Sequence, residues 1–166
     1  MRLLSALTGA ICAAVIFSSS AFAQQSAPPA PAAYGPPVTI EQAKKAAAAA
    51  LAVAQKSPYL YVIAVVDPTG TLVYFERMDG AIYASNEVAI RKARTAAMFK
   101  RPTGDFFQAM EHGHPFVATL TPDLTASIGG LPLVVDGKIV GGIGVSGSPS
   151  GPTDLPPAQA GVDALK

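Results

Sequence analysis

The stretch Gly129–Gly147 reads GGLPLVVDGKIVGGIGVSG, and it decides the fold. Two runs rich in β-branched and aliphatic residues, Leu131–Val135 and Lys138–Val145, flank the dipeptide Asp136-Gly137. Asp-Gly between two such runs is a strong signal for a two-residue type I′ turn. The stretch therefore predicts an antiparallel β-hairpin.

The end of this hairpin also satisfies the pattern G-x-G-x-x-G, from Gly142 to Gly147. In a dinucleotide-binding fold a strand precedes that pattern and a helix opens within it. The segment that follows here, SPSGPTDLPP (148–157), predicts no immediate helix, so we expect no bound nucleotide. We predict instead that the glycines let a neighbouring subunit or a planar ligand approach the backbone closely. The glycines concerned are Gly129, Gly130, Gly141, Gly142 and Gly144.

A second hairpin and four helices complete the predicted domain. The runs Tyr59–Val66 and Thr71–Arg77 flank a predicted type I turn at Asp67-Pro68-Thr69-Gly70. The predicted helices run from a capping box at Thr39 and Gln42 to Ser57, from Ser85 to Lys100, from Thr103 to Glu111, and from Pro157 to Leu165. This order predicts an α+β domain, in which an antiparallel sheet of two hairpins, with about five strands, is covered by helices.

The N-terminal segment has the three parts of a signal peptide. Arg2 precedes an apolar run, and Ala21-Phe22-Ala23 forms an A-x-A cleavage site. We therefore expect a signal peptide at residues 1–23, a Pro/Ala-rich linker at 24–37, and a domain at 38–166, in a protein that is periplasmic or secreted and keeps no membrane anchor after cleavage.

Cleavage also changes the composition of the chain. The mature chain loses Cys12, the single cysteine, so disulfides and thiolate metal sites are excluded. Loss of Arg2 leaves 11 basic residues against 11 acidic ones. Because no excess positive charge remains, we expect no nucleic-acid partner.

Four segments in order resemble the GlcG/HbpS-like family, also called the haem-degrading domain family. They are GGLPLVVDGKIVGGIGVSGSPSG (129–151), TIEQAKKAAAAALAVAQK (39–56), VIAVVDPTGTLVYFERMDGA (62–81) and SNEVAIRKARTAAMF (85–99). The resemblance implies a profilin-like sheet, a homo-oligomer, and haem or iron handling. It assigns no axial ligand, because iron coordination in that family is not tied to one invariant histidine. The chain departs from the family at Pro156-Pro157, where a more continuous helix is expected.

The two histidines of the chain, His112 and His114, lie in a predicted loop, MEHGHPF (110–116). Neutral imidazole is a common ligand of haem iron and of other metals. A mononuclear metal site would need a third donor, for which Glu111 and Asp123 are nearest in sequence. Three interpretations stay open: a solvent-facing loop without a role, haem ligation, and a metal or acid–base site.

Other residues are candidates for contact with a flat, anionic macrocycle. On one face of the second helix, Glu87 and Arg91 form either a solvated ion pair or part of a site in which Arg94 or Arg101 holds a haem propionate. The aromatic residues are either core or pocket lining, and Thr119 or Thr121 offers a weak oxygen ligand. The aromatic candidates are Tyr83, Phe99, Phe106, Phe107 and Phe116.

Three functions follow as hypotheses. The first is an exported haem-binding protein that senses, scavenges or carries haem. The second is an enzyme that acts on a small organic acid, with a histidine as acid–base catalyst. The third is a non-catalytic, ligand-binding oligomeric module.

Overall fold

The computed structural model describes residues 30–166. The predicted signal peptide and the first part of the predicted linker lie outside the described residues. The helices and strands are α1 Ile40–Ala54, β1 Val62–Val66, β2 Leu72–Arg77, α2 Ala84–Phe99, α3 Thr103–Glu111, a 3₁₀ helix at Pro115–Thr119, β3 Gly130–Val135, β4 Lys138–Ser146 and α4 Gly151–Asp163.

The strands form one antiparallel sheet in the order β2-β1-β4-β3. Asp136 and Gly137, between β3 and β4, both have positive φ, 49° and 71°, as a type I′ turn requires. At the other hairpin, the amide of Gly70 donates to the carbonyl of Asp67 at 3.0 Å. Both predicted hairpins are therefore confirmed, and the two central strands, β1 and β4, belong to different hairpins.

The sheet has four strands in the described part of the chain, where about five were predicted. The end of the predicted linker runs beside the first half of β4, which β1 does not reach. The amide of Ile139 donates to Ala33 O at 2.8 Å, and the amide of Gly35 donates to Ile139 O at 2.9 Å. One parallel bridge, between Tyr34 and Ile139, forms there instead of a strand.

Helices cover both faces of the sheet. On one face Ile63 and Val65 of β1 lie in a core cluster with the buried alanines of α1 and with Ala158 of α4. On the other face Val62 and its alternate neighbours pack against alanines of α2. Because side chains alternate along a strand, the fully buried run of β1 supplies both cores. The predicted α+β fold, an antiparallel sheet covered by helices, is confirmed.

The first helix begins as its sequence predicts. The amide of Gln42 donates to Thr39 Oγ1 at 3.2 Å, and the amide of Thr39 donates to Gln42 Oε1 at 3.0 Å, which completes the capping box. The buried alanines recur at helical spacing, so small side chains bring α1 close to the sheet and to α4. They are Ala43, Ala46, Ala47, Ala50 and Ala54.

The last helix corrects two expectations. Instead of beginning at Pro157, α4 begins at Gly151, four residues after Gly147, and continues through Pro156 and Pro157. Proline in a helix leaves the carbonyl four residues earlier without its amide donor. For Pro157 that carbonyl belongs to Thr153, and the buried Tyr61 hydroxyl donates to it at 3.2 Å. A contact from the residue that precedes β1 thus compensates for the proline. Because a helix does follow the glycines, the predicted lack of one no longer argues against a bound nucleotide.

None of the helices between residues 30 and 166 is both long enough and apolar enough to cross a bilayer.

Candidate functional site

The glycines of β4 are filled by the chain's own backbone. A Cβ atom on Gly144 would overlap Ala89 O of α2, and one on Gly142 would overlap Ala93 O one turn later. A Cβ on Gly141 would overlap Val66 O of β1. The prediction that a neighbouring subunit or a planar ligand approaches these three glycines is therefore wrong. The same close packing takes the space that a pyrophosphate would need over the G-x-G-x-x-G pattern.

A Cβ atom on Gly130 would likewise overlap Lys92 O of α2, but the backbone of Gly129 and Gly130 also lines a groove of about 330 Å³. Helix α3 forms one wall with Asp105 and Gln108, and α4 forms the other with Leu155 and Gln159. Apolar contacts come from Pro102, Ile128 and Leu131. A volume of this size lies at the lower end of the range for small-molecule sites. The groove combines apolar walls, two amide side chains and a floor without side chains.

A buried hydroxyl anchors the α3 wall to that floor. Thr103 is fully buried at the start of α3, and its Oγ1 accepts from the amide of Gly130 at 2.9 Å. The same hydroxyl donates to Ser127 O at 2.6 Å. The threonine therefore fixes the first turn of α3 against the beginning of β3.

A buried ion pair lies behind the floor. Lys92 Nζ of α2 donates to Asp154 Oδ2 of α4 at 2.7 Å and to Val145 O at 3.0 Å. Asp154 Oδ1 accepts from the amide of Ser148 at 3.1 Å and from its hydroxyl at 2.7 Å. Burial lowers the pKa of Lys92, and the hydrogen bond and charge of Asp154 oppose that shift.

Sequence reasoning missed this pair. The available signal was the position of Lys92, three residues after Ala89 on the alanine face of α2, which predicts burial. A buried ammonium needs a partner. No spacing rule identifies Asp154, because it lies 62 residues away on another helix.

His112 follows the last residue of α3 and is not among the residues that line the groove. Asp105, Gln108 and His112 are spaced three and four residues apart, so they share one face of the helix. Both the backbone amide and Nδ1 of His112 contact Gln108 O, at 3.0 and 2.7 Å. A carbonyl only accepts, so Nδ1 carries the proton and Nε2 carries a free lone pair. This exposed imidazole is oriented and able to bind a metal ion.

His114 is also exposed, but its setting differs. Its ring lies edge-on to the ring of Phe116, with the centroids 6.1 Å apart. Phe116 is 61% exposed, and the hydroxyl of Thr119 donates to the carbonyl of Phe116 at 2.7 Å. These three predicted contacts therefore form a local cluster at the 3₁₀ helix, and none of them lines the groove.

The predicted arginines also lie outside the groove lining. Arg94 Nε donates to Gly70 O at 2.9 Å, and its side chain lines a separate cavity of about 80 Å³ together with Thr121 and Asp123. The guanidinium of Arg101 lies 4.0 Å from the ring centroid of Phe106, which is fully buried as core.

Two further sets of predicted contacts lie on or near the second helix. The solvated ion pair between Arg91 and Glu87 is present, at 2.8 Å. Phe99 packs edge-on against Phe106, with the ring centroids 5.1 Å apart.

The three-donor metal site is not formed. Within residues 30–166, no group of three or more His, Cys, Asp or Glu side chains is placed to hold a metal ion. Glu111 and Asp123 therefore do not complete a mononuclear site with the histidines.

The chain matches one family model over most of its described length. The model, described as haem degrading protein HbpS-like, matches residues 38–163. Protein GlcG of Escherichia coli K12 is 40% identical over 93 residues, which are 56% of this chain and 69% of that protein.

Solved structures agree with this match. A double mutant of HbpS from Streptomyces reticuli superimposes with a TM-score of 0.73 at 35% identity, covering 86% of this chain and 99% of that one. The structure of a PduOC:haem complex superimposes with a TM-score of 0.71 at 28% identity, covering 78% and 96%. The match over the whole folded domain shows that the chain belongs to the HbpS-like family.

Proposed function

We propose that this protein is an exported haem-binding protein and that the groove between α3 and α4 takes the edge of the macrocycle. One observation carries the proposal: apolar side chains and Gln108 of α3 line the groove, and the oriented imidazole of His112 lies one turn beyond Gln108 on the same face of that helix. The similarity to a structure solved as a haem complex supports it.

The groove residues suit a flat, largely apolar ligand. Ile128, Leu131 and Leu155 supply apolar contact, and the backbone of the two glycines forms part of the lining. His112 Nε2 would hold the iron. When bound, haem supplies ligand exchange and redox chemistry at its iron.

The propionates need a cationic partner, and Arg101 is the nearest in sequence to the groove. It directly precedes Pro102, which lines the groove, and its guanidinium carbon lies 4.0 Å from the ring centroid of Phe106. A guanidinium held over a ring by a cation–π contact still has N–H groups to donate to a carboxylate. Arg101 is therefore assigned to a propionate, whereas Arg94 is held by Gly70.

Titration of haemin into the apo-protein tests the assignment. The wild type should give a saturable Soret shift. His112→Ala should weaken binding at least about tenfold and change the band position, since an axial ligand is lost. His114→Ala is the matched control, an exposed histidine two residues away, and should bind as the wild type does. Absence of any saturable shift in the wild type would rule the function out.

Export is proposed from the N-terminal pattern. Cleavage after Ala23 would leave Gln24 as the first residue of the mature chain. Intact-mass measurement of protein recovered from the periplasm or medium should give the chain that begins at Gln24. A cell-associated, full-length chain would contradict export.

We also propose that the protein is a homo-oligomer that uses the β2 edge of the sheet. Ile82 and Tyr83, just before α2, are 66% and 80% exposed, and Leu72 at the start of β2 is 40% exposed. Strand β2 ends the sheet, so its outer backbone groups are free to pair. Sedimentation should show an oligomer that Tyr83→Glu dissociates, while Phe116→Glu, at an exposed aromatic residue of the 3₁₀ helix, serves as the control. A monomeric wild type would contradict this assembly.

A further inference from the structure

The ion pair between Lys92 and Asp154 connects the two faces of the sheet. Lys92 belongs to α2, which packs on one face, and Asp154 belongs to α4, which packs on the other. Their side chains are 1% and 4% exposed. A charge in so dry a place is held only by specific partners, and both charges have them.

The side chains of Lys92 and Asp154 have room to meet because residue 129 is glycine. A Cβ atom on Gly129 would lie 2.7 Å from Asp154 Cβ, 2.7 Å from Val145 O and 3.1 Å from Lys92 Nζ. The φ of Gly129 is also +118°, a conformation that other residues rarely adopt. The same residue that forms the floor of the groove therefore admits the ion pair behind it.

The pair acts on the α4 wall of the groove. Leu155 follows Asp154 directly, and Gln159 lies about one and a half turns further along the helix. The remaining contacts of α4 with the sheet and with α1 are mainly small and apolar, such as Ala158 and Val162. Apolar contact is not directional, whereas a hydrogen-bonded ion pair fixes one position along the helix axis.

We infer that Lys92 is a positioning residue: through Asp154 it sets the position of the α4 wall and thereby the ligand affinity of the groove. The inference rests on the proposed function in taking this groove as the binding site. Lys92 itself is buried and does not touch the ligand. Thr103 does the corresponding work for the α3 wall, which it connects to Gly130, whereas the ion pair connects the α4 wall to α2 and to Val145 O of β4.

Hydrogen exchange tests, without any ligand, whether the ion pair positions α4. In Lys92→Met and in the isosteric Asp154→Asn, amide exchange in α4 should rise at least about tenfold more than in α1 and β1, where only the global loss of stability acts. The matched controls are Arg91→Met and Asp163→Asn, which break exposed pairs on the same two helices. These controls should leave α4 exchange unchanged. Equal acceleration of exchange in all elements, or no acceleration in α4, would show that the ion pair does not position α4.

A double variant separates positioning from stability. Replacing both charges, in Lys92→Met/Asp154→Leu, removes the buried charges together, so the fold should keep its stability. Haemin affinity should nevertheless fall at least about tenfold, because the first turn of α4 has lost the ion pair that positions it. Wild-type affinity in the double variant would overturn the positioning role. If haemin fails to bind the wild type, the proposed function is wrong. The amide exchange of α4 then tests by itself whether the ion pair positions this helix.

Discussion

The α2–sheet interface and the segment around the histidines differ in how tightly their residues are constrained. Across the interface, α2 backbone lies directly on Gly142 and Gly144, with no side chain between. From Glu111 to Phe116, by contrast, every residue is exposed. The interface therefore determines the fold and tolerates little change. The histidine segment is free to vary and offers its side chains to a ligand.

The largest effect is expected from a methyl group in the interface. Gly144→Ala would place Cβ on Ala89 O and should lower the free energy of unfolding by at least about 3 kcal/mol, or prevent folding, since backbone on both sides must move. Urea unfolding measures the change. Gly113→Ala is the control: its φ is +84° with open space around it, so only about 1–2 kcal/mol of backbone strain is expected. Equal losses of unfolding free energy in the two variants would contradict the difference between the α2–sheet interface and the histidine segment.

Loss of the buried ammonium comes next. Lys92→Met leaves the Asp154 carboxylate buried without its cation, which should cost about 3–5 kcal/mol. The neighbouring Arg91→Met breaks only an exposed pair and should leave the thermal midpoint unchanged. A similar midpoint for both variants would show that burial does not set the cost.

The same lysine predicts a pH dependence. Burial lowers the pKa of Lys92 below its ordinary value of 10.5, so between the two values the unfolded chain binds more protons than the folded one. The contribution of Lys92 to stability therefore rises with pH across that interval. Unfolding measured from pH 7 to 10.5 should show this rise, and Lys92→Met should remove it. If the free energy of unfolding of Lys92→Met rises with pH as steeply as that of the wild type, other groups cause the rise.

A smaller effect is expected where Tyr61 compensates a proline. In Tyr61→Phe the Thr153 carbonyl loses its hydrogen-bond donor inside α4, at a cost of about 1–2 kcal/mol. Tyr59→Phe, which alters a ring packed against the same core, is the comparison. The account needs the Tyr61 variant to be the less stable of the two.

The smallest stability effect belongs to the histidine segment. His112→Ala should change the free energy of unfolding by no more than about 0.5 kcal/mol, because the ring is exposed. The same variant should lose haemin affinity, so function and stability separate at this position. A large loss of stability would mean that His112 is structural.

Local patterns were sufficient for most of the fold. The Asp136-Gly137 turn and the capping box at Thr39 depend on neighbours in sequence, so both were predictable. Helix α4 was placed too late, because Pro156 and Pro157 normally exclude a helix. The compensating contact comes from Tyr61, 92 residues from Thr153, which no local pattern reveals.

The candidate site was only partly predictable. The glycines and His112 stand out as residue types, but the sequence does not show that α2 backbone fills Gly130, Gly142 and Gly144 or that only Gly129 and Gly130 of the set also line this groove. That difference depends on which helix crosses which end of the sheet. The Lys92–Asp154 pair was missed for the same reason, since its partners meet only in three dimensions.

The most direct test of the account is the position of iron in crystals of the haemin-loaded protein, located by anomalous scattering at the iron absorption edge. The account predicts iron bound to His112 Nε2, with the macrocycle edge in the groove beside Gly129 and Gly130. Iron at His114, at the β2 edge, or anywhere away from the groove would contradict it.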